Sequence, residues 1–207
     1  RVMRDSAARG DTGIDVRPEV RPAIDFLYKL IDKFPRFTIP AFPRKRKPIY
    51  IWSDAMFGWE GLDGINYSKE PVENCFGRIG FIAIDLETNS AIYSFKTIEK
   101  PLLDELFHKS ANYIGELEAL GAAVPYYSLL TYMDIKDRNV LHFVDNQGAL
   151  WALTRGDCRG RNSARIVHAL AEKQLELGVG VWYEYVESAA NIADLPSREE
   201  YGLLHAM

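Results

Sequence analysis

A chain of 207 residues with 47% hydrophobic and 26% charged residues has enough apolar side chains for one globular domain plus a short appendage, and too many for wholesale disorder. Two cysteines, with no Cys/His pair at ligand spacing, exclude a disulfide scaffold and a structural zinc site; they read as reduced thiols of an intracellular protein of cytoplasm or nucleus. Lys and Arg number 25 against 29 Asp and Glu, and this net charge of −4 argues against a generic basic coat for nucleic acid.

The N-terminus is polar, so it is not read as a signal peptide, and no apolar run reaches bilayer length. The chain does not begin with Met and is read as a piece of something longer. Residues 1–17 read as a loose tail. Val20, Ile24, Leu27, Ile31 and Phe34 recur at helical steps, which predicts a helix over 19–34 with Pro22 in its first turn. Residues 35–48 are rich in proline and carry Arg36, Arg44, Lys45, Arg46 and Lys47. This basic connector is either a solvated linker or an arm for phosphates, and the domain boundary is placed between it and residues 49–207.

From residue 49 the pattern is sheet-like. A strand over 49–53 precedes a long acidic, glycine-containing loop at 56–76. Strands over 80–86 and 91–96 form a hairpin. A helix over 112–131 should be kinked or interrupted by Pro125. A strand over 139–144, helices over 147–153 and 163–177, a strand over 180–186 and a mostly helical stretch over 189–204 complete the chain. This order predicts an α/β fold: a mixed five-stranded sheet, three antiparallel strands then parallel ones, flanked by helices.

Carboxylates at four places in the chain stand out by position. Asp54 follows the first predicted strand and Asp145 follows the fourth, so both emerge at one sheet edge if those strands are neighbours. Glu116 and Glu118 lie on the helix between them, and Asp194 lies near the start of the last helix. Singly, each aspartate reads as a cap or turn residue. Together, without His or Cys, they read as a site for a hard cation, Mg²⁺ or Mn²⁺, because clustered carboxylates repel one another unless a cation joins them. Two such ions, about 3.5–4 Å apart, would clamp the attacking and leaving oxygens of a phosphodiester.

The segments Ile51-Trp-Ser-Asp-Ala55, Ile114-Gly-Glu-Leu-Glu-Ala-Leu120, Val144-Asp-Asn-Gln-Gly-Ala-Leu150 and Val186-Glu-Ser-Ala-Ala-Asn-Ile-Ala-Asp-Leu-Pro-Ser-Arg198 carry a resemblance. In this order they resemble the ribonuclease H domains of the reverse-transcriptase (retroelement) branch of the ribonuclease H-like superfamily. The resemblance spans about residues 49–200. It implies the ribonuclease H-like fold, two Mg²⁺ (or Mn²⁺) ions and hydrolysis of the RNA strand of RNA–DNA hybrids. It also implies a polymerase domain of the same polyprotein as partner, with residues 1–48 as the end of a connection segment.

Matched by motif, Asp54, Asp145 and Asp194 are three of that family's four metal-binding acids. Glu118 fits the fourth better than Glu116 because Glu-Ala-Leu-Gly-Ala-Ala-Val follows the family pattern; the two point to different helix faces, so only one can serve. Gln147 matches a position that meets the hybrid's minor groove, with Asn146 beside it; a helix cap and an exposed helix residue are equally good readings. Arg155, Arg159, Arg161 and Arg165 are candidates for backbone phosphates. Ser197 and Arg198 match the family's terminal Ser-Arg and read as packing for the last helix. His168 is expected to pack within its helix, and His108, His142 and His205 read as structural.

The chain departs from compact members in its long interval between Asp54 and Glu118, with extra residues at 56–76 and 98–111, and it lacks a basic protrusion before Asp194. Weak activity of the isolated domain is expected. A catalytically silent binding module of the same fold is the competing reading. An exonuclease would carry Asp-x-Glu where Ala55 and Met56 follow Asp54, and a transposase would carry a late Glu where Asp194 stands.

Overall fold

The computed structural model describes residues 20–33, 46–59, 75–106 and 113–204. The chain divides into two units, Arg1–Pro43 and Arg44–Met207. The first contains helix α1 (Arg21–Lys33). Pro22 is its second residue, where a missing N–H costs nothing. The expected tail at 1–17, the connector up to residue 45, His108 and His205 lie outside the described residues.

The second unit is built on β1 (Ile49–Trp59), β2 (Cys75–Asp85), β3 (Ser90–Glu99), β4 (Asn139–Val144) and β5 (Gly180–Tyr185), ordered β3-β2-β1-β4-β5. The first three strands are antiparallel, and β4 and β5 run parallel to β1. This is the mixed sheet expected from the element order. Its helices are α2 (Lys100–Leu106), α3 (Ile114–Ser128), α4 (Gln147–Arg155), α5 (Arg161–Leu177), α6 (Asp194–Ser197) and α7 (Tyr201–Leu204). Among the described residues no helix is long and apolar enough to cross a membrane.

Of four local expectations, the structure overturns the first and third and adds detail to the other two. First, β1 does not end at Ser53: it pairs with β2 from Ile49↔Asp85 to Trp59↔Cys75, so both ends of the expected 56–76 loop are ladder. Backbone pairing outweighs the glycine-rich composition, and residues 60–74 are not described. Second, the extra residues after β3 include helix α2. Third, Pro125 does not break α3, which stays α-helical to Ser128 before a single 3₁₀ turn at Leu129–Thr131. Pro125 is itself buried, and α3 packs on β1, β2 and α5, so tertiary contact overrides the local penalty. Fourth, residues 189–204 are not one helix. They form a 3₁₀ turn at Ser188–Ala190, then α6 and α7, separated where Glu199 takes a left-handed φ of 63°.

The core lies between the sheet and α3 and α5. Ile49, Ile51, Phe81, Ala83, Val140 and Val144 meet Ala122, Ala123 and Tyr126 of α3 and Val167, Leu170 and Leu177 of α5. On the opposite face Trp52 stacks on Phe143 at 4.8 Å, with Tyr50 edge-on to both.

An ion cluster ties the chain entering β1 to the domain. Arg138 is fully buried and donates to both oxygens of Asp85 (2.6 and 3.3 Å) and twice to the Lys47 carbonyl (2.7 and 3.1 Å). Arg46 pairs with Glu87 at 2.8 Å and Asp134 at 2.9 Å, so two carboxylates already engage the one described arginine of the basic connector. Removing one partner of a buried pair strands the other charge. Glu87, 3.2 Å from Arg138, remains as a partly exposed partner, so Asp85→Ala is expected to cost about 3 kcal/mol, the low end for a buried pair, in urea unfolding. Arg46→Ala, at the surface, should cost far less.

Candidate metal centre

β1 pairs with β4 only from Ile49↔Val140 to Trp52↔Phe143, although β1 itself runs on beside β2. Asp54 thus sits inside a strand, two residues beyond the last β1–β4 pair, and not after the strand's end. Asp145 follows β4 directly. The two strands therefore deliver both acids to one place, past the point where their pairing stops.

Glu118 reaches that place from α3. The helix is dense in small residues there, with Ala119, Gly121, Ala122 and Ala123 all buried. A Cβ on Gly121 would lie 3.1 Å from the Asp54 carbonyl oxygen, so glycine permits the close approach of helix to strand. Glu118 stands one turn earlier on that helix. Each of Asp54, Glu118 and Asp145 offers a carboxylate oxygen within 4.8 Å of the others. Of the two glutamates, Glu118 is in the group, whereas Glu116 lies by Cys158, whose thiol its charge helps to raise.

Asp194, the fourth matched acid, opens α6 and is not in that group. It borders the group all the same. Ser197 Oγ donates to Asp54 Oδ2 and approaches the Asp194 carbonyl at 3.1 Å. Arg198 Nη2 lies 2.8 Å from Asp194 Oδ2, while Asp194 Oδ1 is buried with no hydrogen-bond partner. Ser197 and Arg198 therefore touch the acids, beyond the packing role read from sequence. Ser197 lies so close to the sheet that a Cβ on Gly80 would meet its backbone nitrogen at 2.6 Å. Gly80 is the β2 partner of Asp54 in the ladder. Arg78, two residues before it, donates to the Ser197 carbonyl and pairs with Glu199 at 3.2 Å. Asn191 donates to the Ser53 carbonyl from the segment entering α6. The (i, i+3) and (i, i+4) spacings of Ser197 and Arg198 from Asp194 were the available sequence signal.

The acids carry the electrostatic mark of crowding. Burial, with the charges of Asp54, Asp145 and Asp194, pushes the Glu118 carboxyl up to about 9. Burial raises Asp54 to about 7, against the Ser197 hydroxyl and with Asp194 and Asp145 adding to it. Burial also raises Asp194, and the Arg198 guanidinium opposes that rise. An all-oxygen donor set of mutually repelling carboxylates, two buried and Asp145 partly so, with one buried oxygen left unpartnered beside it, fits a hard divalent cation.

The remaining predicted contacts lie around α4 and α5. Asn146 caps α4, its Oδ1 accepting from the Ala149 N–H at 2.9 Å. Gln147 is exposed in the first turn. Arg155 lies over the Trp151 ring at 5.2 Å. Arg155, Arg159, Arg161 and Arg165 are all exposed. His168 is exposed and 3.9 Å from Asp157, so it does not pack as expected: Val167 and Leu170 take the buried side of the helix. His142 is structural. It is fully buried between Ser53 Oγ (2.9 Å) and Tyr126 OH (3.1 Å), and burial holds its ring down to about 3, hence neutral.

No protein-family model and no curated protein matches the chain. Solved structures do match, and ribonucleases H are among them. The N-terminal ribonuclease H domain of rv2228c from Mycobacterium tuberculosis aligns over 77% of this chain and 99% of its own, with a TM-score of 0.52 and 11% identity. Ribonuclease H1 of Halobacterium salinarum covers 75% and 98%, with a TM-score of 0.52 and 13% identity. LC11 ribonuclease H1, solved in complex with an RNA/DNA hybrid, covers 75% and 99%, with a TM-score of 0.53 and 16% identity. The chain has the ribonuclease H-like fold.

Raised carboxyls fix the sign of a stability test. The folded state holds the protons of Glu118 and Asp54 more tightly than the unfolded chain does. Their contribution to stability is therefore full below about pH 4 and is lost as pH rises through 7 and 9. In chelator at pH 8, Glu118→Gln, which cannot ionise, is expected to raise Tm by about 2–4 °C and to flatten its pH dependence. A lowered Tm at that pH would contradict the crowded centre.

Proposed function

We propose that the domain is a metal-dependent endonuclease that hydrolyses the RNA strand of RNA–DNA hybrids, within a retroelement reverse transcriptase. The observation that supports this best is the convergence of Asp54, Glu118 and Asp145 within 4.8 Å on a ribonuclease H-like fold. The cofactor is Mg²⁺ or Mn²⁺, two ions in the active state. Bound cations supply an activated water and neutralise charge on the departing 3′ oxygen.

The chain's own residues do the rest. Asp54, Glu118 and Asp145 hold the first cation, and Asp194 completes the second position. Ser197 orients the Asp54 carboxylate from the side. Gln147 reaches the minor groove, where 2′-hydroxyls distinguish RNA from DNA, with Asn146 fixing the start of its helix. Arg155, Arg159 and Arg161 contact backbone phosphates. The acidic centre accounts for part of the negative net charge, so the chain needs no overall basic character. The polymerase domain of the same polyprotein supplies the further grip on the hybrid that this domain, without a basic protrusion, lacks.

A labelled hybrid incubated with Mn²⁺ should be cut in its RNA strand alone, while single-stranded RNA and duplex DNA stay intact. Asp145→Asn should abolish the cut. A folded wild-type domain that leaves the hybrid intact at high enzyme concentration, in either metal, would count against the proposal.

A further inference from the structure

The two edges of the sheet differ. β5 has six residues and carries Glu184, and short or charged edge strands resist pairing with another chain. β3, at the other edge, has ten residues and pairs with β2 residue for residue, from Asp85↔Ser90 to Phe76↔Glu99, without a bulge. It holds no proline, and its run from Ser90 to Phe95 holds no charge. Among the described residues β3 has a strand partner on one side only. Over that run the edge lacks the usual guards against a second strand.

Apolar surface lies on both faces of this edge. On one face Tyr93 and Phe95 are 38% and 41% exposed, and Tyr201 of α7 tilts over Phe95 at 5.0 Å. On the other face a cavity of about 210 Å³ opens between β3 and α3, lined by Ile79, Phe81, Ser94, Lys96 and Val124 among others. Side chains of an added strand alternate between the two faces and would meet both.

We propose that β3 pairs with the β3 of a second copy of this chain, antiparallel about a two-fold axis at Ser94, so that two sheets become one. The strand's own sequence favours this occupant. Opposite residues of an antiparallel pair share a face, and an axis at Ser94 sets Tyr93 against Phe95 twice, once on each side of it. Ile92 of the second copy then stands opposite Lys96, at the rim of the cavity, and no two like charges are opposed. An axis at Lys96 would instead set two ammonium groups face to face. Asp54 on β1 and Asp145 after β4 are separated from the edge by β2, so the joint is independent of the acidic centre.

The test is sedimentation of the full 207-residue chain in chelator, from about 1 to 200 µM, with amide hydrogen exchange measured at both ends of that range. Wild type should pass from monomer to dimer, and amides over 91–97 should exchange at least about fivefold more slowly at the high end. Ser94→Lys puts two ammonium groups at the axis and should sediment as a monomer throughout. Ser94 is exposed, so this variant should keep the wild-type melting temperature measured at low concentration. Ser94→Thr, which sets two threonines opposite each other, should keep the dimer. Wild type that stays monomeric, or a dimer that persists in folded Ser94→Lys, would overturn the inference. If Ser94→Lys does not fold, the exchange pattern decides: concentration-dependent protection centred on β3 upholds the joint, and protection elsewhere overturns it.

Discussion

Like charges held together govern this molecule. Asp54, Glu118 and Asp145 come within 4.8 Å of one another in a mostly buried setting. Neither desolvation nor repulsion favours that arrangement, as the raised carboxyls of Glu118 and Asp54 record. It persists because the fold over-determines where each acid stands. The apolar core between the sheet and helices α3 and α5 supplies the stability that offsets it.

Each acid is placed by a different structural device. The β1–β4 ladder stops at Trp52↔Phe143, which opens the sheet where Asp54 and Asp145 emerge. Gly121 lets α3 lie against the Asp54 backbone, and Glu118 reaches the acids from that helix. Gly80 lets Ser197 lie against the sheet, from where its hydroxyl bonds Asp54. Arg78, Asn191 and Ser53 then lock the segment that carries Asp194, Ser197 and Arg198. At the other end of the sheet, the Arg138–Asp85 pair secures the entry to β1. The centre is therefore a property of tertiary structure, distributed over residues far apart in sequence.

This distribution explains what could be read from residue order. Strand periodicity and element order were enough for the mixed sheet, because alternation and turn residues are local. The β4 bounds followed for the same reason, as did the hairpin, its turn expected at 87–90 and found at 86–89. Asp145 and Asp194 stood out because each adjoins an element boundary, and Asp54 because its strand was read as ending at Ser53. Long-range effects stayed hidden. The extension of β1 to Trp59 depends on a partner strand, and the survival of α3 past Pro125 depends on packing. The choice of Glu118 over Glu116 is a matter of helix face relative to a strand distant in sequence. Ser197 and Arg198 looked like packing residues because their contacts with Asp54 and Asp194 arise only when the C-terminal segment folds back on β2. His168 misled because one turn of helix separates a buried face from an exposed one.

The most direct measurement is a calorimetric titration of Mg²⁺ into the metal-free chain at pH 6.5 and pH 8, in buffers of different ionisation enthalpy. Carboxyls at about 7 and about 9 must give up protons before they can hold a cation. The account predicts proton release on binding and tighter binding at pH 8. Binding with no proton release and the same affinity at both pH values would contradict it.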